Sequence, residues 1–238
     1  MISENLENVR RRIGAATQRS HRSPADVRLI AVSKTHPVAT VIEAVRAGQA
    51  DFGENRVQEG LAKIDALLSQ GSGGQTTAPE WHLIGHLQTN KAKKAAAAFH
   101  WIHSVDSIEL VQKLDAAAAE ANTRPKILIQ VDLAHEATKS GAPLSDMPAL
   151  IAAARSARSL ELSGLMIVPP IVDDPEDARP WFRQLRGVRD ALVAAGTPAG
   201  SLKELSMGMS HDFEVAIEEG ATMVRVGSAI FGRRDYPA

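Results

Sequence analysis

Ser33-Lys34-Thr35 closes the first strongly apolar stretch, Val27-Arg28-Leu29-Ile30-Ala31-Val32, and Pro37 follows almost at once. A lysine at the mouth of a buried strand sits in a poor solvent for charge. Such surroundings lower the pKa of an ammonium group and free its lone pair. A neutral amine adds to an aldehyde and forms a Schiff base. Taken alone, a lysine that closes a strand is an ordinary solvated strand end, so its chemistry turns on what the other strand ends deliver. The second apolar run ends in Glu54, Asn55 and Arg56, and the third in Gly85, His86 and Gln88. The fourth gives Ser104 and Asp106; the fifth gives Asp132 and then Lys139, Ser140 and Gly141. The sixth gives Met166, the seventh Ser206, Gly208 and Ser210, and the eighth Arg225, Gly227 and Ser228. These ends are far more polar than the runs they close, which points to a ligand site.

The last two ends are the most specific. Ser206-Met207-Gly208-Met209-Ser210 precedes a helical stretch from His211 to Glu219, and Gly227-Ser228-Ala229-Ile230-Phe231-Gly232 follows the eighth run directly. Glycine allows close backbone approach, serine adds a hydroxyl, and a helix start offers free amides to an anion. Singly, Ser210 is a helix cap and Gly227 a turn; as a pair beside Lys34 they favour an anion site. Arg225 lies between Val224 and Val226, so it points to the opposite face of its strand from both. If the valines meet the helices, Arg225 enters the interior and needs a partner. That partner is a heteroaromatic ring nitrogen or a carboxylate such as Asp132 or Glu54. His82 and His86 are four apart, but on a strand that spacing separates them, and no third ligand is evident. No metal is expected; His82 reads as core and His86 as pocket lining. Tyr236, near the chain end, is poorly placed for a catalytic acid.

The elements that must position these residues alternate regularly. Apolar or β-branched runs occur at 28–33, 50–54, 81–84, 101–105, 126–132, 162–167, 203–206 and 222–226, behind a leading amphipathic helix at 3–19 that Ser3 would cap. Helical patterns fill most of the gaps, at 38–47, 55–69, 90–98, 107–120, 144–157, 176–195 and 210–219. Such alternation predicts a parallel α/β sheet, and eight strands predict closure into a single (β/α)8 TIM barrel spanning 1–238, with the active site at the C-terminal strand ends. An open doubly wound sheet is the alternative. Residues 71–79 and 169–175 read as surface loops, and the alanine runs at 95–98 and 115–119 as helix surfaces.

Composition narrows the class. Of 238 residues, 44% are apolar, enough for a sizeable core, and the net charge of −1 suggests no nucleic-acid footprint. Cysteine is absent, which excludes disulfides, thiolate nucleophiles and cysteine-ligated zinc. Residues 1–12 lack the apolar core of a secretory signal, and no apolar run approaches the ~18 residues of a membrane span. A cytoplasmic, monomeric protein without membrane association is expected.

Read together, the motifs AVSKTHP (31–37), DFGENRVQE (51–59), WHLIGHLQTNK (81–91), IHSVDS (102–107), TKSG (138–141), GLM (164–166), LSMGMSHDFEVAI (205–217) and VRVGSAIFG (224–232) resemble those of the YggS/PROSC family of pyridoxal phosphate homeostasis proteins. The similarity covers nearly the whole chain. It implies a barrel related to that of alanine racemase and pyridoxal 5′-phosphate as cofactor, held by Lys34 as a Schiff base. It implies that Ser206, Ser210, Gly227 and Ser228 hold the phosphate, that Met207 belongs to the cofactor site, that Arg225 faces the pyridine nitrogen, and that Asn55 and Met166 lie near the ring. Lys139 matches a lysine linked to cofactor release or transfer. The tail departs from the family pattern: relatives often carry lysines after the FGxRDY stretch, where this chain has Tyr236-Pro237-Ala238.

The resemblance implies a carrier that buffers pyridoxal phosphate and delivers it to apo-enzymes, without catalysis. Racemases of this fold take a second acid–base group from a separate β domain that has no counterpart among these 238 residues. Arginine at the pyridine nitrogen also leaves that nitrogen unprotonated and the ring a weaker electron sink. A racemase-like enzyme is the first alternative. A phosphosugar-binding barrel in which Lys34 attacks a substrate carbonyl is the second.

Overall fold

The computed structural model describes residues 1–69, 78–134 and 140–232. Its strands are β1 (Arg28–Val32), β2 (Asp51–Glu54), β3 (Glu80–Leu83), β4 (Trp101–Val105), β5 (Lys126–Gln130), β6 (Glu161–Met166), β7 (Glu204–Met209) and β8 (Met223–Val226). Each runs parallel to the next, and β8 pairs back onto β1 with Ala31 opposite Val226, closing the barrel and excluding the open sheet. The strand period of two sorts the side chains. Leu29, Ala31, Phe52, Leu83, Ile102, Ile127, Leu165, Leu205, Val224 and Val226 join the helices in one apolar core. Ile30, Trp101, Leu128, Met166 and Met223 form a second, smaller cluster within the barrel. Asp51, His82, His103, Gln130, Ser206 and Arg225 add polar side chains to the interior.

The outer layer comprises α1 (Ile2–Arg19), α2 (Val38–Arg46), α3 (Val57–Ser69), α4 (Ala92–Ala98), α5 (Ile108–Ala121), α6 (Met147–Ser156), α7 (Arg179–Ala194), α8 (Phe213–Glu218) and α9 (Ser228–Phe231). The expected extra helix is α1, with Leu6, Val9, Ile13 and Ala16 on its buried stripe. It starts one residue before the expected cap: Ser3 lies inside the helix, and Met1 precedes it without a side-chain cap. Because α9 is a single turn, α1 supplies the cover beside α2 and α8 that a full eighth helix would give. Asn5 Nδ2 fastens it to the Ile230 carbonyl at 2.8 Å. The alanine runs are helical but only partly surface: Ala97, Ala116 and Ala119 are exposed, whereas Ala95, Ala96, Ala117 and Ala118 are buried, and α4 packs on α5, since a methyl group lets two helices approach closely.

Candidate functional site

Lys34 follows β1 at the C-terminal mouth of the barrel and is half-buried. Its two neighbours are tied down. Ser33 is fully buried and donates through Oγ to Glu54 Oε1 at 2.6 Å. Lys63 Nζ, on α3, donates to the Ser33 carbonyl (2.7 Å), Glu54 Oε1 (2.7 Å) and Glu59 Oε1 (2.9 Å). Glu59 Oε1 also accepts the Thr35 amide at 2.5 Å, holding Thr35 in the left-handed region at φ 67°. A non-glycine residue rests there only when its surroundings impose it. Glu54, Glu59 and Lys63 thus fix the backbone on both sides of Lys34. Burial pushes the Glu54 carboxyl up, against the pull of hydrogen bonds from Lys63 and Ser33. Sequence reasoning placed Glu54 at a strand end but missed the roles of Glu59 and Lys63. The available signals were their i, i+4 spacing and a lysine on the same stripe of α3 as Val57 and Gly60.

Across the β1–β8 seam, Gly227 abuts the end of β1: a Cβ there would lie 3.2 Å from the Val32 carbonyl oxygen. The seventh and eighth loops are joined through Ser210, whose Oγ accepts from the amides of Gly227 (3.0 Å) and Ala229 (3.4 Å). Ser210 does not cap the helix that follows it, since α8 starts at Phe213 behind Asp212; its hydroxyl instead ties the seventh loop to the amides at the start of α9. Ser228 is exposed at the same turn. Gly208 has φ 91°, and a Cβ would fall 2.6 Å from Ala216 Cβ, so only glycine lets the seventh loop lie on α8. Asp212 is buried and accepts the Met209 amide at 2.6 Å; burial pushes its carboxyl up.

Arg225 enters the barrel, as the flanking valines imply. Its partners are Ser206 Oγ, to which Nη1 donates at 2.7 Å, and the Ile167 carbonyl, to which Nη2 donates at 2.8 Å. Glu54, one of the carboxylates weighed for it, is engaged by Ser33 and Lys63 instead. Burial pushes the guanidinium down to about 10, with Asp212 opposing, so it stays cationic at neutral pH. Ser206 is fully buried, and its hydroxyl lies between Arg225 and His103 Nδ1 (2.9 Å), which commits it to the interior rather than to an anion at the mouth. Met207, next along β7, faces the helices within the main core, so its side chain points away from the interior. Met166 lies inside, level with Ser206 and Gln130.

Asn55 follows β2, and its Oδ1 is buried without a hydrogen-bond partner. Gly85 lets the backbone of Asn55 come this close, because a Cβ would sit 2.3 Å from the Asn55 carbonyl oxygen. His82 is fully buried in the interior, whereas His86 is exposed and lies 3.7 Å from Asp106. Asp51, Glu80 and His82 bring ligand atoms within 4.8 Å of one another at the opposite end of the barrel. Arg28 already occupies that cluster, with Nη1 2.6 Å from Asp51 and 3.0 Å from Glu80. Lys139 and Tyr236 lie outside the described residues.

The family model for the alanine racemase N-terminal domain matches residues 5–235. The chain is 42% identical to the pyridoxal phosphate homeostasis protein of Escherichia coli K12, across 99% of this chain and 97% of that one. It is 41% identical to the protein of the same name from Aquifex aeolicus, across 98% of each. The structure of PipY from Synechococcus elongatus with pyridoxal phosphate bound superposes with a TM-score of 0.81 at 40% identity, covering 98% of this chain and all of PipY. With that agreement in sequence and in fold, the chain belongs to the alanine racemase N-terminal domain family and, within it, to the pyridoxal phosphate homeostasis proteins.

Proposed function

We propose that this protein binds pyridoxal 5′-phosphate at the C-terminal mouth of the barrel and takes part in its homeostasis as a carrier rather than an enzyme. The observation that carries this is the adjacency of β1 and β8, which sets Lys34 beside the Gly227 turn and above the buried cation of Arg225. The residues suit the group in three respects. An amine at a strand mouth suits an aldehyde. Two close-packed loops, shaped by Gly208 and Gly227 and carrying the hydroxyls of Ser210 and Ser228, suit a phosphate. The unpartnered Oδ1 of Asn55 and the apolar Met166 suit a polar ring. When bound, pyridoxal phosphate supplies an aldehyde that condenses with a primary amine and releases water.

Lys34 Nζ is the covalent tether. Ser210, Gly227 and Ser228 line the phosphate, with the hydroxyls of Ser210 and Ser228 donating to it. Arg225 donates to the pyridine nitrogen, while Met207 contributes at most its backbone. Ser206 acts on Arg225 rather than on the phosphate. Because arginine retains its proton, it leaves the ring nitrogen unprotonated and the ring a weak electron sink, which favours storage over carbanion chemistry. The relatives' names, which describe homeostasis, support the same reading. We further propose Lys139 as a group used in cofactor release, pyridoxal phosphate-dependent apo-enzymes as recipients, and a monomer working in the cytoplasm. Among the described residues no helix is long and apolar enough to cross a membrane.

The test is to mix purified, loaded protein with an apo-enzyme and follow both the recipient's activity and the donor's visible absorbance. Recipient activity that rises as donor colour falls, with no turnover of D- or L-amino acids by the donor, is expected. Amino-acid turnover abolished by Lys34→Ala would establish the racemase-like alternative instead.

A further inference from the structure

A row of hydrogen bonds runs through the barrel interior from Arg225 to the N-terminal end of β2. Arg225 Nη1 donates to Ser206 Oγ at 2.7 Å, and Ser206 Oγ meets His103 Nδ1 at 2.9 Å. His103 Nε2 meets His82 Nδ1 at 3.0 Å, and His82 Nε2 meets Asp51 Oδ1 at 3.0 Å. Arg225, Ser206, His103 and His82 are all buried.

The carboxylate end fixes the direction of every link once His82 carries a single proton. A guanidinium only donates, and an ionised carboxylate only accepts. Asp51 is held ionised by Arg28 Nη1 at 2.6 Å: burial pushes its carboxyl up, but the hydrogen bonds from His82 and Arg28 outweigh that and leave it below its ordinary value. His82 must therefore carry its proton on Nε2, which leaves Nδ1 to accept. His103 must then donate from Nε2, which leaves its Nδ1 to accept the Ser206 hydroxyl proton. Ser206 Oγ keeps a lone pair for Arg225. The reverse orientation would set the lone pair of His82 Nε2 against that of Asp51. A second proton on His82 would turn the His103 and Ser206 links around, and complete burial of the ring opposes that charge. The charged groups around the pair are Asp51, Glu80, Arg28 and Arg225. Burial, aided by Arg28 and Arg225, outweighs the acids and keeps both rings neutral.

We propose, on the reading that Arg225 meets the cofactor's ring nitrogen, that His82 and His103 are positioning residues: locked as neutral Nε2–H tautomers, they make Ser206 an acceptor and thereby aim the Arg225 guanidinium at that nitrogen. Neither histidine touches the cofactor. Their effect reaches it only through Ser206 and Arg225.

Two measurements on the full chain test this. Nitrogen-15 histidine spectra of the protein without cofactor report the tautomers directly. Both rings are expected as Nε2–H, without charging, between about pH 7 and pH 9. Either ring found as Nδ1–H, or titrating in that range, overturns the proposal. The second measurement is a ratio of affinities, for pyridoxal phosphate over an analogue with carbon in place of the ring nitrogen. Wild type is expected to prefer pyridoxal phosphate, and Ser206→Ala and His103→Phe to shrink that preference roughly ten- to hundredfold, the range of one hydrogen bond to a charged group. An equal loss for both ligands would mark general damage and overturn the proposal, as would a preference that survives both substitutions. No preference in wild type would remove the Arg225 reading and the proposal with it. Should His103→Phe fail to fold, Ser206→Ala, which deletes one oxygen, decides alone.

Discussion

Replacing Lys63 by methionine isolates the device that holds Lys34. Lys63 is only 7% exposed and Glu54 is fully buried, so Lys63→Met keeps the volume but leaves a buried carboxylate without its cation. Ser33 Oγ is then the remaining donor to Glu54 Oε1, while Oε2 is already without a partner. Breaking one side of a buried ion pair costs about 3–5 kcal/mol, a large part of a typical domain's 5–15 kcal/mol. Denaturant unfolding at neutral pH should show that loss. The double variant Glu54→Gln/Lys63→Met removes the orphaned charge and should regain more than half of it. The sign of the pH dependence follows from Glu54, whose folded pKa is raised above its unfolded value. Its favourable contribution is present below the unfolded carboxyl range and is lost as pH rises through the folded value. Lys63→Met raises the folded value further, so the variant should recover stability on acidification from pH ~7 towards ~5, where the double variant should not. A Lys63→Met loss under ~1 kcal/mol, or no recovery in the double variant, would refute the reasoning.

Other expectations follow from the same geometry. Ser210→Ala removes the acceptor for the Gly227 and Ala229 amides, so it should cost ~1 kcal/mol of stability by denaturant titration. It should also weaken pyridoxal phosphate retention about tenfold by equilibrium dialysis. Gly208→Ala meets both a positive φ and a Cβ contact of 2.6 Å, so it should cost at least ~2 kcal/mol and lower the thermal midpoint. Asp51 has a depressed folded pKa, so its contribution is present above the unfolded carboxyl range and is lost as pH falls. Asp51→Asn should therefore flatten the acid limb of a stability–pH curve.

The barrel was legible because its strands are short apolar runs at regular intervals and because glycines such as Gly48 and Gly220 mark helix ends. Lys34 was legible as a charge where such a run stops, and the inward turn of Arg225 followed from the two valines beside it. The same alternation, applied to β7, would have turned Met207 outward once Ser206 was set inward. Other features depend on closure, which one segment cannot reveal. Ser206 and His103 are 103 residues apart and meet only across the barrel. Lys63 reads as solvated until the end of β1 is laid over α3. The alanine runs read as surface because a methyl group signals neither burial nor exposure until the partner helix is known.

Reduction of the loaded protein with borohydride, followed by proteolysis and mass spectrometry, tests the central claim most directly. One reduced pyridoxyl phosphate adduct is expected, on the peptide carrying Lys34, with its disappearance in Lys34→Ala. An adduct on any other residue of wild type, or none on protein saturated with pyridoxal phosphate, would contradict it.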